Sequence, residues 1–250
     1  MSHQPQFIEL VEVDSTNAEA MRRAQAGERG PLYIRADRQT AGRGRSGRAW
    51  QSAQGNLSLS RLGAVSAPPA AVAQVALVAG LALHRAVASS LADAGVSVPL
   101  HLKWPNDLLL DKAKLAGILV EASTFGGERV VVIGIGVNMA TAPQMPERPT
   151  TALSRHAGVV PAPAVFAQVL CGHLEDALAD WNDGAGFAAI RKDWLARALP
   201  IGTQMTVRSG PSGQVLGTFA GIDGDGYLLL DEAGAGRRIY TVGDAELLSV

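Results

Sequence analysis

The sequence predicts an α+β protein: a larger body of strands and helices followed by a small β-barrel. Three observations predict it. Residues 100–104, 115–122 and 129–139 are runs rich in Leu, Ile and Val, the pattern of central strands. Residues 69–93 are alanine-rich with apolar positions at helical spacing, the pattern of a long buried helix. Beyond Pro200 the chain breaks into short strand-like runs separated by Gly, Asp and Ser turns.

Taken in order, Asp14-Ser15-Thr16-Asn17 precedes a helical run over 18–25 that ends at Gly27, and Thr16 with Glu19 fits a capping box. Residues 32–36 form a strand leading into a Gly/Arg-rich loop, and 56–62 the strand leaving it. The long helix closes near Gly95, and the three central strands follow. Residues 164–181 and 187–197 form two more helices, and 203–208, 214–222, 227–231 and 238–242 form the strands of the tail. The expected division is therefore 1–200 and 201–250.

Composition narrows the function classes. Hydrophobic residues make up 47% and charged residues 18%, ample material for a core. The 22 basic residues are balanced by 23 acidic ones for a formal charge of −1, whereas a dedicated nucleic-acid binder normally has a basic excess. Cys171 is the only cysteine, which excludes an internal disulfide and a cysteine-based zinc site; it fits a buried thiol in a helix. The N-terminal ten residues lack the basic start and apolar run of a secretory signal, and the run over 75–83 is too short for a membrane span. A cytoplasmic protein without membrane attachment is the expectation.

Gly42-Arg43-Gly44-Arg45-Ser46-Gly47-Arg48-Ala49-Trp50 is the most informative stretch. Glycines let backbone approach a ligand, guanidinium forks match phosphate and carboxylate oxygens, and the indole offers a flat face to a base. Alone, the segment fits equally a flexible basic loop or an arginine-rich nucleic-acid contact. Lys103-Trp104-Pro105-Asn106-Asp107 ends a strand in a turn that projects polar groups from a rigid frame. Lys114-Leu115-Ala116-Gly117-Ile118-Leu119-Val120-Glu121 begins with a lysine that, by itself, reads as a solvated strand end. Gly134-Ile135-Gly136-Val137-Asn138 closes the next strand, its glycines compatible with mere close packing.

Together, in this order and spacing, these segments and Asp-Ser-Thr-Asn resemble the biotin protein ligases, also called biotin–[acetyl-CoA-carboxylase] ligases. The motifs cover about residues 10 to 140. The resemblance implies a mixed sheet with flanking helices, related to class II aminoacyl-tRNA synthetases, plus an SH3-like C-terminal barrel. It also implies a two-step reaction. Biotin and ATP give biotinyl-5′-AMP and pyrophosphate, and a lysine of a biotin carboxyl carrier domain then displaces AMP. Bringing a carboxylate within about 4 Å of a phosphate oxygen costs about 4 kcal/mol at an effective dielectric near 20, more than one neutral hydrogen bond returns. Fixed cations, with Mg²⁺ on the polyphosphate, meet that need.

By resemblance, Arg45, Arg48 and Lys114 are the catalytic residues, facing the phosphates and the biotin carboxyl, and Arg43 helps close the loop. Ser15, Thr16 and Gln39 meet the ureido head, with backbone at Gly42, Gly44, Gly117 and Gly134 against biotin. Trp50 stacks on adenine, Asn138 reads its amino edge, and Lys103 and Asn106 complete the ATP site. Asp107 is the expected metal contributor. Ser46 and Ala49 stand where relatives often carry further basic residues, implying a somewhat weaker hold on phosphate. Only 13 residues precede Asp14, so the DNA-binding winged helix of bifunctional relatives, and with it operator binding, is not expected. The family includes monomers and homodimers. The rivals are a lipoate–protein ligase, disfavoured by the loop ending at Trp50 and by Lys-Trp-Pro-Asn-Asp, and a non-catalytic nucleic-acid-binding module.

Overall fold

The computed structural model describes residues 5–145, 148–208, 213–241 and 243–247. Its larger sheet has seven strands: β1 (Gln6–Val13), β2 (Leu32–Gln39), β3 (Leu57–Ala64), β4 (Leu100–Lys103), β5 (Asp107–Leu110), β6 (Ala113–Phe125) and β7 (Glu128–Val137). They lie in the order β1-β2-β3-β7-β6-β5-β4. β1 and β2 run parallel and every other neighbouring pair is antiparallel, so the sheet is mixed as expected.

Strand alternation separates two faces. Leu32, Ile34, Val130 and Val132 turn one way and bury Ala20 and Ala24 of helix α1 (Thr16–Gln25). Tyr33, Val131, Ile133 and Ile135 turn the other way, under α2 (Val75–Asp93), α3 (Pro163–Trp181) and α4 (Phe187–Arg197). The segment Pro69–Asp93 is apolar enough and long enough to span a membrane, but two thirds of its most apolar window is buried inside this core. Its first turns, Pro69–Gln74, are a 3₁₀ helix, and the α-helix begins only at Val75. Glu175 anchors α3 by accepting from Arg61 at 2.7 Å and from the Tyr33 hydroxyl at 2.6 Å. Cys171 is half-buried nearby, and burial pushes its thiol up to about 12, away from reactivity.

Two local expectations change. The α1 cap is Ser15, whose hydroxyl accepts from the Ala18 amide at 3.4 Å. The proposed box partner Glu19 is drawn instead to Arg22 and Arg23 one turn on, at 3.0 and 2.8 Å. Thr16 is the first helical residue, and its hydroxyl serves Gln39. Strands β1 and β5 were also not foreseen.

The tail forms a five-stranded antiparallel sheet from β8 (Gln204–Arg208), β9 (Gln214–Ile222), β10 (Leu228–Glu232), β11 (Gly236–Tyr240) and β12 (Asp244–Leu247), ordered β11-β10-β9-β8-β12. β12 was not foreseen, and the anticipated strand at 238–242 lies at Gly236–Tyr240, with Val242 outside the described residues. This sheet packs against the larger body. The buried indole of Trp104 donates to the Gly226 carbonyl at 3.0 Å, and Arg191 donates to the Ile222 carbonyl at 2.9 Å.

Candidate active site

A pocket opens where α1 meets the ends of β3, β6 and β7, under the Gly/Arg loop. Its floor is a run of neutral hydrogen-bonding groups. Ser15, Thr16, Asn17 and Ser58 line it, with Ser60 beneath them, and all five are buried, at 4% exposure or less. Buried polar groups need partners, and these supply one another. Thr16 donates to Gln39 Oε1 through its amide at 2.8 Å, and its hydroxyl lies 3.1 Å from the same atom. Gln39 Nε2 donates to Ser58 Oγ at 3.2 Å, and Ser58 meets Ser52. Ser60 Oγ lies 2.7 Å from Thr16 Oγ1 and 2.6 Å from Asn17 Oδ1. Asn17 Nδ2 donates to Glu121 Oε2 at 2.7 Å, and that oxygen also takes Arg43 at 3.2 Å. Gly134 leaves room for the carboxamide: a Cβ there would fall 2.2 Å from Asn17 Oδ1.

The second glycine of that motif serves a different side chain. A Cβ on Gly136 would lie 2.3 Å from the Trp50 ring, and one on Gly117 would touch the ring at 3.4 Å. Trp50 thus lies against two strands, and at Gly136 only glycine leaves room for its ring. Its Nε1 and the nearby Asn138 Oδ1 are buried without a partner among the described residues. Buried polar atoms in that condition are expensive unless a ligand completes them.

The charged wall stands beside the indole. Asp107 is buried between two ammonium groups, with Lys114 Nζ at 2.6 Å and Lys103 Nζ at 2.9 Å. Burial alone would raise its carboxyl, but Lys103 and Lys114 outweigh that and hold it well below the usual carboxylate range. Lys114 Nζ also sits 5.8 Å from the Trp50 ring centre, within cation–π range. Arg45 donates to Asn106 Oδ1 at 3.2 Å and to the Gly243 carbonyl at 3.0 Å, so the smaller sheet reaches the site directly. Asn106 is itself fixed by donating to the Ile118 carbonyl at 2.6 Å.

The pocket brings together Ser15, Thr16, Gln39, Arg43, Gly44, Arg45, Arg48, Trp50, Asn106, Asp107, Lys114, Gly117, Gly134 and Asn138. Two expected residues do not line it. Gly42 lies buried behind Trp50, where a Cβ would meet the Trp50 carbonyl at 2.5 Å. Lys103 stands behind Asp107. Neither oxygen of Asp107, each taken by an ammonium, suits a dication as placed, and no cluster of three or more His, Cys, Asp or Glu exists among the described residues. Sequence reasoning missed Asn17, Ser58 and Glu121. It also missed the segment after β7, whose Pro143, Met145, Arg148 and Thr150 line the mouth. That segment is held by Asn56, whose Oδ1 accepts from the amides of Met139, Ala140 and Thr141. The Lys114 amide also donates to the Pro149 carbonyl, at 2.8 Å.

The fold and this pocket place the chain in the biotin/lipoate A/B protein ligase family, whose model matches residues 9–138. The model of the biotin protein ligase C-terminal domain matches residues 201–248. It is therefore an enzyme of the biotin protein ligase branch. The chain is 38% identical over 239 residues to the biotin–[acetyl-CoA-carboxylase] ligase of Paracoccus denitrificans, covering 92% of this chain and 95% of that one. Among solved structures it resembles the Aquifex aeolicus biotin protein ligase in complex with biotin and ATP. The TM-score is 0.78 and the identity 25%, over 98% of this chain and 99% of that one. It also resembles the Leishmania major enzyme in complex with biotinyl-5-AMP, with a TM-score of 0.65 and 28% identity, over 99% and 100%.

Proposed function

We propose that this enzyme joins biotin and ATP as biotinyl-5′-AMP, releasing pyrophosphate, and passes biotin to a lysine of a biotin carboxyl carrier domain. The observation that carries this reading is one pocket with a neutral floor at Thr16 and Gln39 and Lys114 with the arginine loop on its far side. A ureido head offers N–H donors and a carbonyl acceptor, which hydroxyls and a carboxamide satisfy without charge. The carboxylate at the other end of the same molecule needs cations.

In this reading Lys114, Arg45 and Arg48 neutralise charge as the carboxylate oxygen attacks the α-phosphate and the P–O bond to pyrophosphate breaks. Lys114 then faces the acyl phosphate while the acceptor amine adds to the carbonyl and AMP leaves. Trp50 and Asn138 hold the adenine. With both Asp107 oxygens engaged by ammonium groups, Mg²⁺ would be held by the ATP polyphosphate and its own waters rather than by Asp107, and would supply neutralisation of the phosphate charge. The partners are biotin, ATP and the carrier domain, in the cytoplasm. The near-neutral charge speaks against operator DNA as a partner.

ATP–pyrophosphate exchange with biotin or lipoate supplied in turn tests this. Exchange with biotin alone is expected. Exchange with lipoate instead, or with neither, overturns the reading.

A further inference from the structure

The Glu121 carboxylate joins two parts of the site. One oxygen receives Asn17 of the floor and Arg43 of the Gly/Arg loop. From Asn17 the hydrogen-bond chain crosses the floor and returns to Ser52, on the other flank of the same loop. The hydroxyl protons of the chain can point in more than one way. Ser60 and Thr16 carry one hydroxyl proton each, yet Ser60–Asn17, Ser60–Thr16 and Thr16–Gln39 are three contacts at 2.6, 2.7 and 3.1 Å. Gln39 Oε1 already accepts from the Thr16 amide at 2.8 Å, so no acceptor is orphaned. The two hydroxyl protons nevertheless have more than one arrangement over the three contacts, and a polar group arriving at the Thr16 hydroxyl selects among them. The arrangement that commits the Ser60 proton to Asn17 Oδ1 holds the carboxamide with its Nδ2 against Glu121.

We propose that Glu121 is a positioning residue that couples occupancy of the pocket floor to the Gly/Arg loop, acting as a latch for Arg43. It touches neither the reacting atoms nor, in this arrangement, the ligand. The proposal rests on the function given above, because the group that selects the hydroxyl arrangement of the floor is the ureido group of biotin. Glu121→Gln keeps an acceptor for Asn17 and removes the charge that draws Arg43.

Steady-state ATP–pyrophosphate exchange at varied biotin, measured for the wild type, Arg43→Met, Glu121→Gln and the double variant, tests the latch. Each single change is expected to raise the biotin KM about tenfold with kcat within about twofold, and the pair about tenfold rather than about a hundredfold. In parallel, trypsin should cut faster within residues 43–48 of Glu121→Gln, and biotin should protect that segment in the wild type only. Independent, multiplying effects on KM would overturn the latch, as would equal protection of wild type and Glu121→Gln. If the wild type does not use biotin at all, the functional reading fails. Unchanged trypsin cleavage in unliganded Glu121→Gln would then separately reject the latch, and faster cleavage would support it.

Discussion

Asp107 and Lys114 form a 2.6 Å ion pair at the edge of the pocket, and the second oxygen of Asp107 is engaged by Lys103. The carboxylate is 6% exposed, so its two ammonium partners are what keep it charged. Lys114 is thereby aimed between β5 and the Trp50 ring, and a lysine that began as an ordinary strand end becomes a fixed cation.

Lys114→Ala is expected to slow single-turnover adenylate formation about 30- to 1,000-fold, the range for losing about 2–4 kcal/mol of transition-state stabilisation, while biotin binding weakens far less. Quench-flow adenylation beside equilibrium biotin titration measures both. Near wild-type adenylation would return Lys114 to the solvated-end role.

Asp107→Asn is expected to destabilise the fold by about 3–5 kcal/mol, because it leaves two ammonium groups facing each other in a dry site. Urea unfolding midpoints measure this. For the native residue the sign runs with a depressed carboxyl: its stabilisation is complete above about pH 4, the ordinary carboxylate range, and is lost only as pH falls further.

His84 sets a second pH window. Its Nε2 lies 3.4 Å from the Leu100 carbonyl, Nδ1 has no partner among the described residues, and burial lowers its pKa to about 4. The neighbouring charges of Arg197, His101 and Arg85 act in the same direction. The unfolded chain protonates near the ordinary histidine value of 6.5, so stability is full above that pH and falls progressively toward about 4. The loss amounts to at most about 3 kcal/mol. Unfolding at pH 7.5 and pH 5 for wild type and His84→Gln tests this; an unchanged pH dependence in the variant would sink it.

Gly136→Ala is expected to expel Trp50 from its bed, since the added Cβ would lie 2.3 Å from the ring. The ATP KM should rise about tenfold, the scale of losing one aromatic stacking contact, with a red-shifted, more readily quenched tryptophan emission. Unaltered emission and ATP affinity would show that Trp50 does not need that space.

The charged half of the site was legible because Gly, Arg, Trp and the Lys-Trp-Pro-Asn-Asp turn are unusual in sequence. The floor was not. Ser58 and Ser60 are the polar half of the alternating β3 run Leu-Ser-Leu-Ser, which reads as a solvent face until α1 covers it. β5 escaped notice because Pro105 and Asn106 are strong turn signals and its four residues are too few to show a period. β1 is an edge strand with a largely exposed pattern, and its pairing comes from β2, beyond a helix. Local pattern carries no trace of such a partner. The mouth segment at Pro143, Met145 and Arg148 bears no motif at all; it is placed by Asn56, far away in the chain.

The contacts of Trp104 with Gly226 and of Arg45 with Gly243 have a bearing on how alleles are read. A genetic screen for ligase-deficient variants would return substitutions scattered through the smaller sheet, with phenotypes matching those of the arginine loop. Such alleles invite assignment to carrier recognition. Here they would instead report a guanidinium that has lost its anchor on the Gly243 carbonyl, and restoring the backbone turn, rather than altering the carrier, would suppress them.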